Sequence, residues 1–535
     1  MIRRLIAQIF QTSFMPFVGV GGMGQRYKIE KSLRIRGAAS AYLTRTPGTA
    51  GNRKVWTWSG WIKRGAIGSE QVIFASRAGG NDLLDLRFTP ADRIRLLNFI
   101  SNSASIDLTT SLAFRDPSSF YHIQLSVDTS AAVASDRIRL YVNGTLVTGF
   151  TTSTYPSLNA DTWVNAAVPH NIGVENPSVY QFDGYVSEIH LIDGQALAPI
   201  FGGHNPESGQ WEPKKYVGTY GVNGFYLNFI DGTSLTTLGN DKSGNSNHWT
   251  LNNVSLTSGA TYDWMDDSPS NNFPTLNPLN AFNISLLNAS LNVAGNTASY
   301  FARSTIATPK SGKWYCEVQV VNATNLIVGL ASEKANNNSN LGQAAGEIGV
   351  YWNGQCLKTN VAQSGSWPAI SIGDIIGIAC DADAKTVSFY RNGSSIGSAV
   401  SYSDFNDAFI AVGTYLSGGQ AAINFGQRPF SYSLLTGFKT LCTKNLKDDT
   451  FNVSGSFTGN ASASGPFIWC NGTPETLTIN GNAVTWGTHA DKLANGFKLR
   501  TANAGYNAAG TNNWSATFLA PSRKSSFRNQ RAKVN

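Results

Sequence analysis

The chain has 535 residues, of which 14% are charged and 11% aromatic, with 53 glycines. A charged fraction well below the usual value of about 25%, combined with many aromatic residues, excludes a disordered chain and indicates an all-β protein with many tight turns. Basic side chains are concentrated at the two ends, in residues 1–36 and 521–535. Because the positive charge is not on the folded body, the body is not expected to bind nucleic acid. The basic ends are expected to be solvated or to dock on a partner.

Residues 1–30 begin with two arginines and an apolar stretch, as a signal peptide does. Polar residues at Gln8, Gln11 and Thr12 interrupt the stretch, and no small-x-small cleavage site follows. The same interruptions argue against a membrane span. We expect a short arm that docks on other proteins and becomes ordered on assembly.

Two distant segments, RLYVNGTLV at 139–147 and SFYRNGSSI at 388–396, have nearly the same pattern. Asn-Gly between β-prone runs predicts a two-residue hairpin, because a type I′ turn requires positive φ at both central residues. An apolar strand ending in Asp precedes each hairpin, HIQLSVD at 122–128 and IIGIACD at 375–381. The repeat therefore predicts the same three-strand meander in two domains of similar construction.

The predicted organisation is all-β: two antiparallel β-sandwiches in tandem, followed by a smaller β unit. The predicted boundaries, in chain order, are an arm at 1–30, a sandwich at 31–230, an Asn/Ser/Pro-rich linker at 231–285, a second sandwich at 286–432, a small β domain at 440–520 and a basic tail at 521–535.

No catalytic residue is predicted. Residues 393–397 spell Gly-x-Ser-x-Gly, but the serine follows a hairpin turn, whereas a nucleophile elbow needs a strand, a turn and a helix. A glucanase needs paired carboxylates on one strand. Glu188 stands alone in its strand, and no third acid follows Asp82 and Asp85 at strand spacing.

No metal or cofactor is predicted either. Residues 241–247 place oxygen-bearing side chains at alternate positions, as calcium loops do, but no bidentate acid closes the loop. These residue types are equally common in turns, and the turn interpretation is favoured there and at Asp381 and Asp383. The five cysteines form no CxxC pair, and Cys316 fits a small core position in a chain folded in a reducing compartment.

The segment 31–230 resembles laminin-G-like, concanavalin A-like domains, on WTWSGWIKR, YHIQLSVD, LYVNG and FDGYVSEIHLIDGQAL. The segment 286–432 resembles a SPRY domain, on SGKWYCEV, GDIIGIACDADAKTVSFYRNG and NFGQRPF. This tandem followed by a small β unit is similar to structural and tail-fibre-like proteins of tailed bacteriophages.

In SPRY domains, loops at one end of the sandwich commonly bind partners. Tyr351, Trp352, Asn353 and Trp367 are predicted near such loops. Sugar sites combine an aromatic ring, on which the sugar stacks, with amide hydrogen bonds. These four residues are therefore the candidate ligand-binding residues. The alternative is that Trp352 packs in the core.

The resemblance implies a non-enzymatic virion protein, assembled in the host cytoplasm. The expected form is a tail fibre or fibre-like appendage that binds a receptor or glycan on the host surface. Its arm would contact other virion proteins, and a homo-oligomer is expected, a trimer by analogy with tail fibres. The alternative is a head fibre or capsid-decorating protein without a specific receptor. A secreted bacterial adhesin or glycan hydrolase is disfavoured.

Overall fold

The structure is a computed structural model that describes residues 26–519, except 178, 206–208, 282, 297–299, 336–338, 447–449, 470–473 and 494–495. The chain is all-β, with several antiparallel sheets arranged as tandem β-sandwiches, which confirms the predicted fold class. Most of the arm and the whole basic tail predicted above lie outside the described residues, as does Cys470.

The first sandwich consists of two sheets whose inner faces share one apolar core. Trp56 and Trp58 lie in this core and are fully buried. Its strands are β1 (Ser32–Ile35), β2 (Tyr42–Arg45), β3 (Val55–Arg64), β4 (Gln71–Gly79), β5 (Asp82–Phe88), β6 (Arg93–Ile100), β7 (Ser103–Ala113), β8 (Tyr121–Asp128), β9 (Ile138–Val142), β10 (Thr145–Leu146), β11 (Phe150–Thr154), β12 (His170–Ile172), β13 (Gly184–Asp193), β14 (Gly202–His204), β15 (Trp211–Pro213), β16 (Phe225–Leu227), β17 (Thr250–Asn252) and β18 (Trp264–Met265).

One sheet has the order β10-β9-β8-β3-β13-β1-β18, with β16 also paired to β13. The other has the order β11-β7-β6-β5-β4-β12-β2-β17, and β14 pairs with β15 separately. Along β5, Leu84, Leu86 and Phe88 face the core, while Asp85 and Arg87 lie on the opposite face of the strand. This alternation is the period-two pattern of a strand with unlike faces.

The second sandwich encloses the core that contains Cys316, as predicted for that residue. Its strands are β19 (Ile284–Leu287), β20 (Asn292–Gly295), β21 (Tyr300–Arg303), β22 (Lys313–Asn322), β23 (Leu326–Ser332), β24 (Glu347–Tyr351), β25 (Gln355–Lys358), β26 (Val361–Ala362), β27 (Ile375–Asp381), β28 (Thr386–Arg391), β29 (Ser394–Ser401), β30 (Ala408–Thr414), β31 (Gln420–Asn424) and β32 (Lys439–Thr440). The sheet orders are β19-β20-β31-β22-β27-β28-β29, with β32 paired to β22, and β21-β30-β23-β24-β25-β26.

Both predicted Asn-Gly hairpins form. Asn143 and Gly144 have φ of 49° and 75°, and Asn392 and Gly393 have φ of 52° and 80°. In the first hairpin, the Asn143 side-chain oxygen accepts the N–H of His122 at 2.8 Å, and its own N–H donates to the His122 carbonyl at 2.8 Å. Asn392 makes the same two bonds with Ile375, each at 2.9 Å. In each repeat, the turn asparagine therefore also bonds to the first residues of the strand before the hairpin, β8 or β27.

The segment 231–285 differs from the linker predicted for it. It contributes β17 and β18 to the first sandwich, and it buries Trp249, Met265 and Phe273. The carboxylate of Asp263 accepts bonds from the guanidinium groups of Arg34 and Arg36 at 2.9 Å. Asn/Ser/Pro-rich composition predicted the irregular backbone correctly, but these tertiary contacts make the segment part of the packed body.

The two sandwiches share a buried interface. Trp61, Phe120 and Tyr185 of the first sandwich belong to the same apolar cluster as the core of the second. One carboxylate, that of Asp183, accepts the backbone N–H of Gly37 and that of Ala289, each at 2.9 Å. These contacts hold the two sandwiches together as one body.

The third unit packs two small sheets around Phe497 and Trp514. Its strands are β33 (Thr450–Gly459), β34 (Phe467–Trp469), β35 (Pro474–Ile479), β36 (Asn482–Ala483), β37 (Ala490–Leu493), β38 (Gly496–Leu499) and β39 (Gly510–Leu519), in the orders β33-β39-β35-β36 and β34-β38-β37. The helices in the described ranges are short: α1 (Leu235–Leu238), α2 (Ala504–Asn507) and four 3-10 turns, Gly37–Ala39, Ala134–Asp136, Pro278–Asn280 and Thr443–Asn445. Among the described residues, none of these helices has the length and apolar character to cross a membrane.

Candidate functional site

The four predicted ligand-binding residues lie on two adjoining loops of the second sandwich. Strand β24 ends at Tyr351, and a turn over 352–354 leads into β25. The N–H of Ile370 donates to the Trp352 carbonyl at 2.9 Å, which joins this turn to the loop that follows Trp367. A side chain at Gly354 would place its Cβ 2.6 Å from the Trp367 carbonyl oxygen, so the two loops are in direct contact.

These four side chains differ in their surroundings. Tyr351 is buried, and burial raises the pKa of its hydroxyl above the usual value. The ring of Trp367 fills the space beside Gly397, and its indole N–H is shared between the carbonyls of Gln363 and Ser364 at 3.2 Å. Tyr351 therefore supports its loop from inside. Trp352 and Trp367 are both half-buried and Asn353 is exposed. Because the Trp367 ring packs beside Gly397 and its N–H is bonded to its own loop, Trp352 and Asn353 are the two residues with groups left to meet a ligand.

Trp352 has an aromatic neighbour that the sequence analysis missed. Tyr415 lies at the end of β30, and its ring centroid is 5.7 Å from that of Trp352. Tyr415 is 40% exposed and the adjoining Leu416 is 44% exposed. We call Trp352, Asn353, Tyr415 and Leu416 the aromatic rim.

Backbone bonds at the sheet ends position the aromatic rim. The N–H of Trp352 donates to Leu326 and that of Tyr415 donates to Asn325, at 3.0 and 2.8 Å. Both partners lie at the start of β23, which runs between β24 and β30. The rim therefore combines segments distant in sequence at one sheet end, and it offers stacking surface beside an exposed amide.

A charge network occupies the outer face of the first sandwich. Arg87 donates to Asp85 at 2.6 Å, to Glu70 at 3.1 Å and to Glu175 at 2.9 Å, and the ring of Tyr180 lies over its guanidinium. Burial raises the pKa of Asp85 to about 6. Because each of these carboxylates binds an arginine, the network is an ion-pair cluster rather than a pair of free acids.

Glu188 anchors the start of the described chain. It sits at an irregularity in β13 with φ of 48°, and its carboxylate accepts the hydroxyls of Tyr27 and Tyr226 at 2.9 and 2.6 Å. His190 stacks on Tyr226 with 4.4 Å between ring centroids. Burial, followed by the charge of Glu188, raises the pKa of Tyr226 well above its usual value. These contacts hold residue 27 on the first sandwich.

The loop 241–247 is organised by Asp241. Its carboxylate accepts the N–H groups of Tyr226, Ser243 and Asn247 at 2.8 to 2.9 Å, and the Ser243 hydroxyl at 2.7 Å. Asp381 also has protein donors: it accepts the ammonium of Lys313 and the N–H groups of Asp383 and Ala384. Protein donors thus engage both carboxylates, as in turns. No cluster of three His, Cys, Asp or Glu residues within reach of one metal ion occurs in the described part of the chain.

Comparison with known protein families identifies both sandwiches. The model of the concanavalin A-like lectin/glucanases superfamily matches residues 37–199, and the SPRY domain model matches residues 313–428. The chain therefore contains a concanavalin A-like domain followed by a SPRY domain, and domains of these types suggest a binding function.

Among solved structures, the chain is similar to the SPRY domain of human HERC1, with 20% identity, 28% of this chain and 96% of that chain covered, and a TM-score of 0.25. It is also similar to the TRIM65 PSpry domain, with 17% identity, 28% and 92% covered, and a TM-score of 0.25. A third similar structure is a candidate carbohydrate-binding protein from Bacteroides ovatus, with 16% identity, 42% and 59% covered, and a TM-score of 0.27. A search of curated proteins gave no match.

Proposed function

We propose that this protein is a non-enzymatic structural protein of a tailed-phage virion, in the form of a tail fibre or fibre-like appendage. In this proposal it binds glycans on the host surface through the aromatic rim. The tandem of a concanavalin A-like and a SPRY domain supports a binding role, since one chain carries two binding-type folds. The phage assignment rests on the resemblance of this tandem and its small C-terminal unit to tail-fibre-like proteins.

The pairing of Trp352 with Tyr415 beside Asn353 is the observation that supports a glycan as the ligand. A sugar ring presents an apolar face that stacks on aromatic side chains, and its hydroxyls bond to amides. An isolated half-buried tryptophan would fit core packing equally well. A second, exposed ring next to it favours a surface that receives a ligand.

The joined sandwiches suit display on a particle. The interface around Tyr185 and Asp183 fixes the orientation of the aromatic rim relative to the first sandwich. A fixed orientation reduces the ordering cost of each contact, and several copies on one virion add avidity. The N-terminal arm, of which residues 1–25 lie outside the described part, would contact other virion proteins in a homo-oligomeric assembly.

An adsorption competition tests the proposal. Host cells are saturated with purified protein and washed, the phage that encodes the chain is added, and free particles are counted over time. Slower adsorption is expected with the wild type. Unchanged adsorption with folded protein would instead favour the alternative of a head fibre or capsid-decorating protein without a specific receptor.

A matched pair of variants locates the contact. Tyr415→Ser removes a rim ring that is 40% exposed, and Tyr432→Ser removes a ring elsewhere in the same domain that is 37% exposed. We expect Tyr415→Ser to lose the competition and Tyr432→Ser to retain it. Equal loss in both variants would argue against the aromatic rim as the binding surface.

A further inference from the structure

The third unit has an unusual sheet edge. Strand β33 lies at the edge of its sheet and pairs with β39 over all ten residues from Thr450 to Gly459, without a register shift. In an antiparallel edge strand, alternate residues direct their N–H and C=O groups away from the sheet. Such groups are a template for another strand unless something guards them.

The other edge strands in the described part of the chain are short, irregular or covered. Those of the sandwiches span two to five residues, apart from β29, and β11 also carries a register shift. β29 has eight residues, but the N–H of Gly397 bonds to the Ser366 carbonyl of a covering loop at 2.8 Å. In the third unit, β37 has four residues and carries Asp491 and Lys492. β33 is thus a long edge without these devices.

The sequence of β33 is self-complementary about its centre. Residues 453–457 read Val-Ser-Gly-Ser-Phe, with no charged residue in the whole strand. Val453 and Phe457 are half-buried and pack on the core of the unit, whereas Ser454 and Ser456 are exposed. If a second copy paired antiparallel about a two-fold axis at Gly455, Val453 would face Phe457 of the second copy and Ser454 would face Ser456. The apolar pair would lie on the core-facing side of the joined sheet, and the serine pair would lie on its solvent-facing side.

We propose that β33 pairs with β33 of a second copy of this chain, which joins two four-stranded sheets into one eight-stranded sheet. A head-to-tail contact would need an equally long strand at the opposite edge, but β36 there has only two residues, Asn482 and Ala483. The edge therefore fits an isologous two-fold contact. This symmetry differs from the trimer expected by analogy, and the inference does not depend on the ligand of the aromatic rim.

The test is the mass of the full chain in solution, measured by size-exclusion chromatography with light scattering. We expect the wild type to have the mass of two chains. Ser454→Lys/Ser456→Lys places lysine opposite lysine across the axis and should halve the mass. Ser454→Lys/Ser456→Glu places lysine opposite glutamate at the same positions and should retain the dimer, which separates an edge effect from misfolding.

The matched control is Asn513→Lys/Ser515→Lys. These exposed residues lie directly opposite Ser456 and Ser454 on β39, one strand inside the edge. This variant should remain dimeric. A wild-type monomer or trimer would overturn the proposal, and so would a dimer that persists in Ser454→Lys/Ser456→Lys.

Oxidative cross-linking checks the register. Ser454→Cys/Ser456→Cys should give a disulfide-linked dimer, since directly opposed strand residues are within disulfide reach. Ser454→Cys alone should give none, because position 454 faces position 456 of the second copy. The four described cysteines are buried, and Cys470, which lies outside the described residues, is replaced by serine in both variants. A cross-link in Ser454→Cys alone, or none in the double variant, would overturn this register and with it the two-fold axis at Gly455.

Discussion

The ammonium group of Lys63 lies 2.8 Å from the carboxylate of Asp267, and both side chains are completely excluded from solvent. Lys63 belongs to β3 of the first sandwich, and Asp267 belongs to the segment that leads into the second. The same ammonium donates to the side-chain oxygen of Asn272 at 2.8 Å and to the Phe273 carbonyl at 2.6 Å. Burial lowers the pKa of Lys63 and raises that of Asp267. One lysine thus satisfies three buried acceptors at the interface.

We expect Lys63→Met to lower the free energy of unfolding by about 3–5 kcal/mol, because it leaves these acceptors buried without a donor. Urea unfolding of the full chain measures the loss. Lys54→Met, which changes a half-buried lysine directly before β3, is the control and should cost less than about 1 kcal/mol. Equal losses in the two variants would show that the buried contacts contribute little.

The two Asn-Gly turns should respond differently to truncation. Asn143→Ala loses one side-chain bond and forces alanine into positive φ, so a loss of about 2 kcal/mol is expected. Asn392 also donates to the Asp374 carboxylate at 2.7 Å, so Asn392→Ala should cost about 1–2 kcal/mol more. Thermal unfolding of both variants gives the comparison. A larger loss at Asn143 would contradict the role assigned to the Asp374 bond.

His170 should make the protein sensitive to acid. Its Nδ1 bonds to the Val168 carbonyl at 2.8 Å and its Nε2 accepts the N–H of Asn165 at 3.2 Å, an arrangement that requires the neutral ring. Burial lowers its pKa from 6.5 to about 4. The folded state therefore binds fewer protons than the unfolded state between these values. The resulting stability is present above pH 6.5 and is lost as pH falls, by about 3 kcal/mol at most.

His170→Gln removes this titration, so the free energy of unfolding should fall less steeply from pH 6.5 to pH 4 than in the wild type. Urea unfolding at a series of pH values measures both slopes. The other titrating groups are the same in both proteins, so their contributions cancel when the two slopes are subtracted. Parallel slopes would mean that His170 keeps an ordinary pKa in the folded protein.

Alanine should destabilise the protein more at Gly354 than at Gly373, although the two glycines have similar backbone geometry. Gly354 and Gly373 have φ of 84° and 88°, so alanine is strained at both positions. Alanine at 354 would also meet the Trp367 carbonyl, whereas nothing lies within 4 Å of a Cβ at Gly373. We expect Gly373→Ala to cost about 1 kcal/mol and Gly354→Ala at least about 2 kcal/mol.

Gly354→Ala should also displace the turn that carries Trp352 and Asn353, so it should weaken adsorption competition while Gly373→Ala does not. Both variants are compared at a temperature where each is folded. Full competition by Gly354→Ala would argue that the position of this turn is unimportant for binding.

Local patterns in the sequence predicted the strands and hairpins well. Asn143 and Asn392 mark their turns by their own chemistry, so no distant contact is needed to recognise them. The segment 231–285 was predicted as a linker because Asn, Ser and Pro are common in loops. Its burial depends on Arg34, Arg36 and Lys63, which lie about 200 residues earlier in the chain.

Only the part of the aromatic rim that is local in sequence could be predicted. Trp352 and Asn353 were identified because an aromatic residue and an amide adjoin a predicted turn. Tyr415 follows a different strand, and it reaches Trp352 only because β23 pairs with both β24 and β30. Trp367 was chosen by type and loop position, but its contact with Gly397 could not be read from spacing.

The path of residues 231–285 has a consequence for recombination between genes that encode related chains. A crossover within residues 231–262 would take Asp263 and Asp267 from one parent and Arg34, Arg36 and Lys63, which neutralise them, from the other. Recombinants divided there should fold poorly and be lost. The segment 231–285 is therefore expected to be inherited together with the first sandwich as one block.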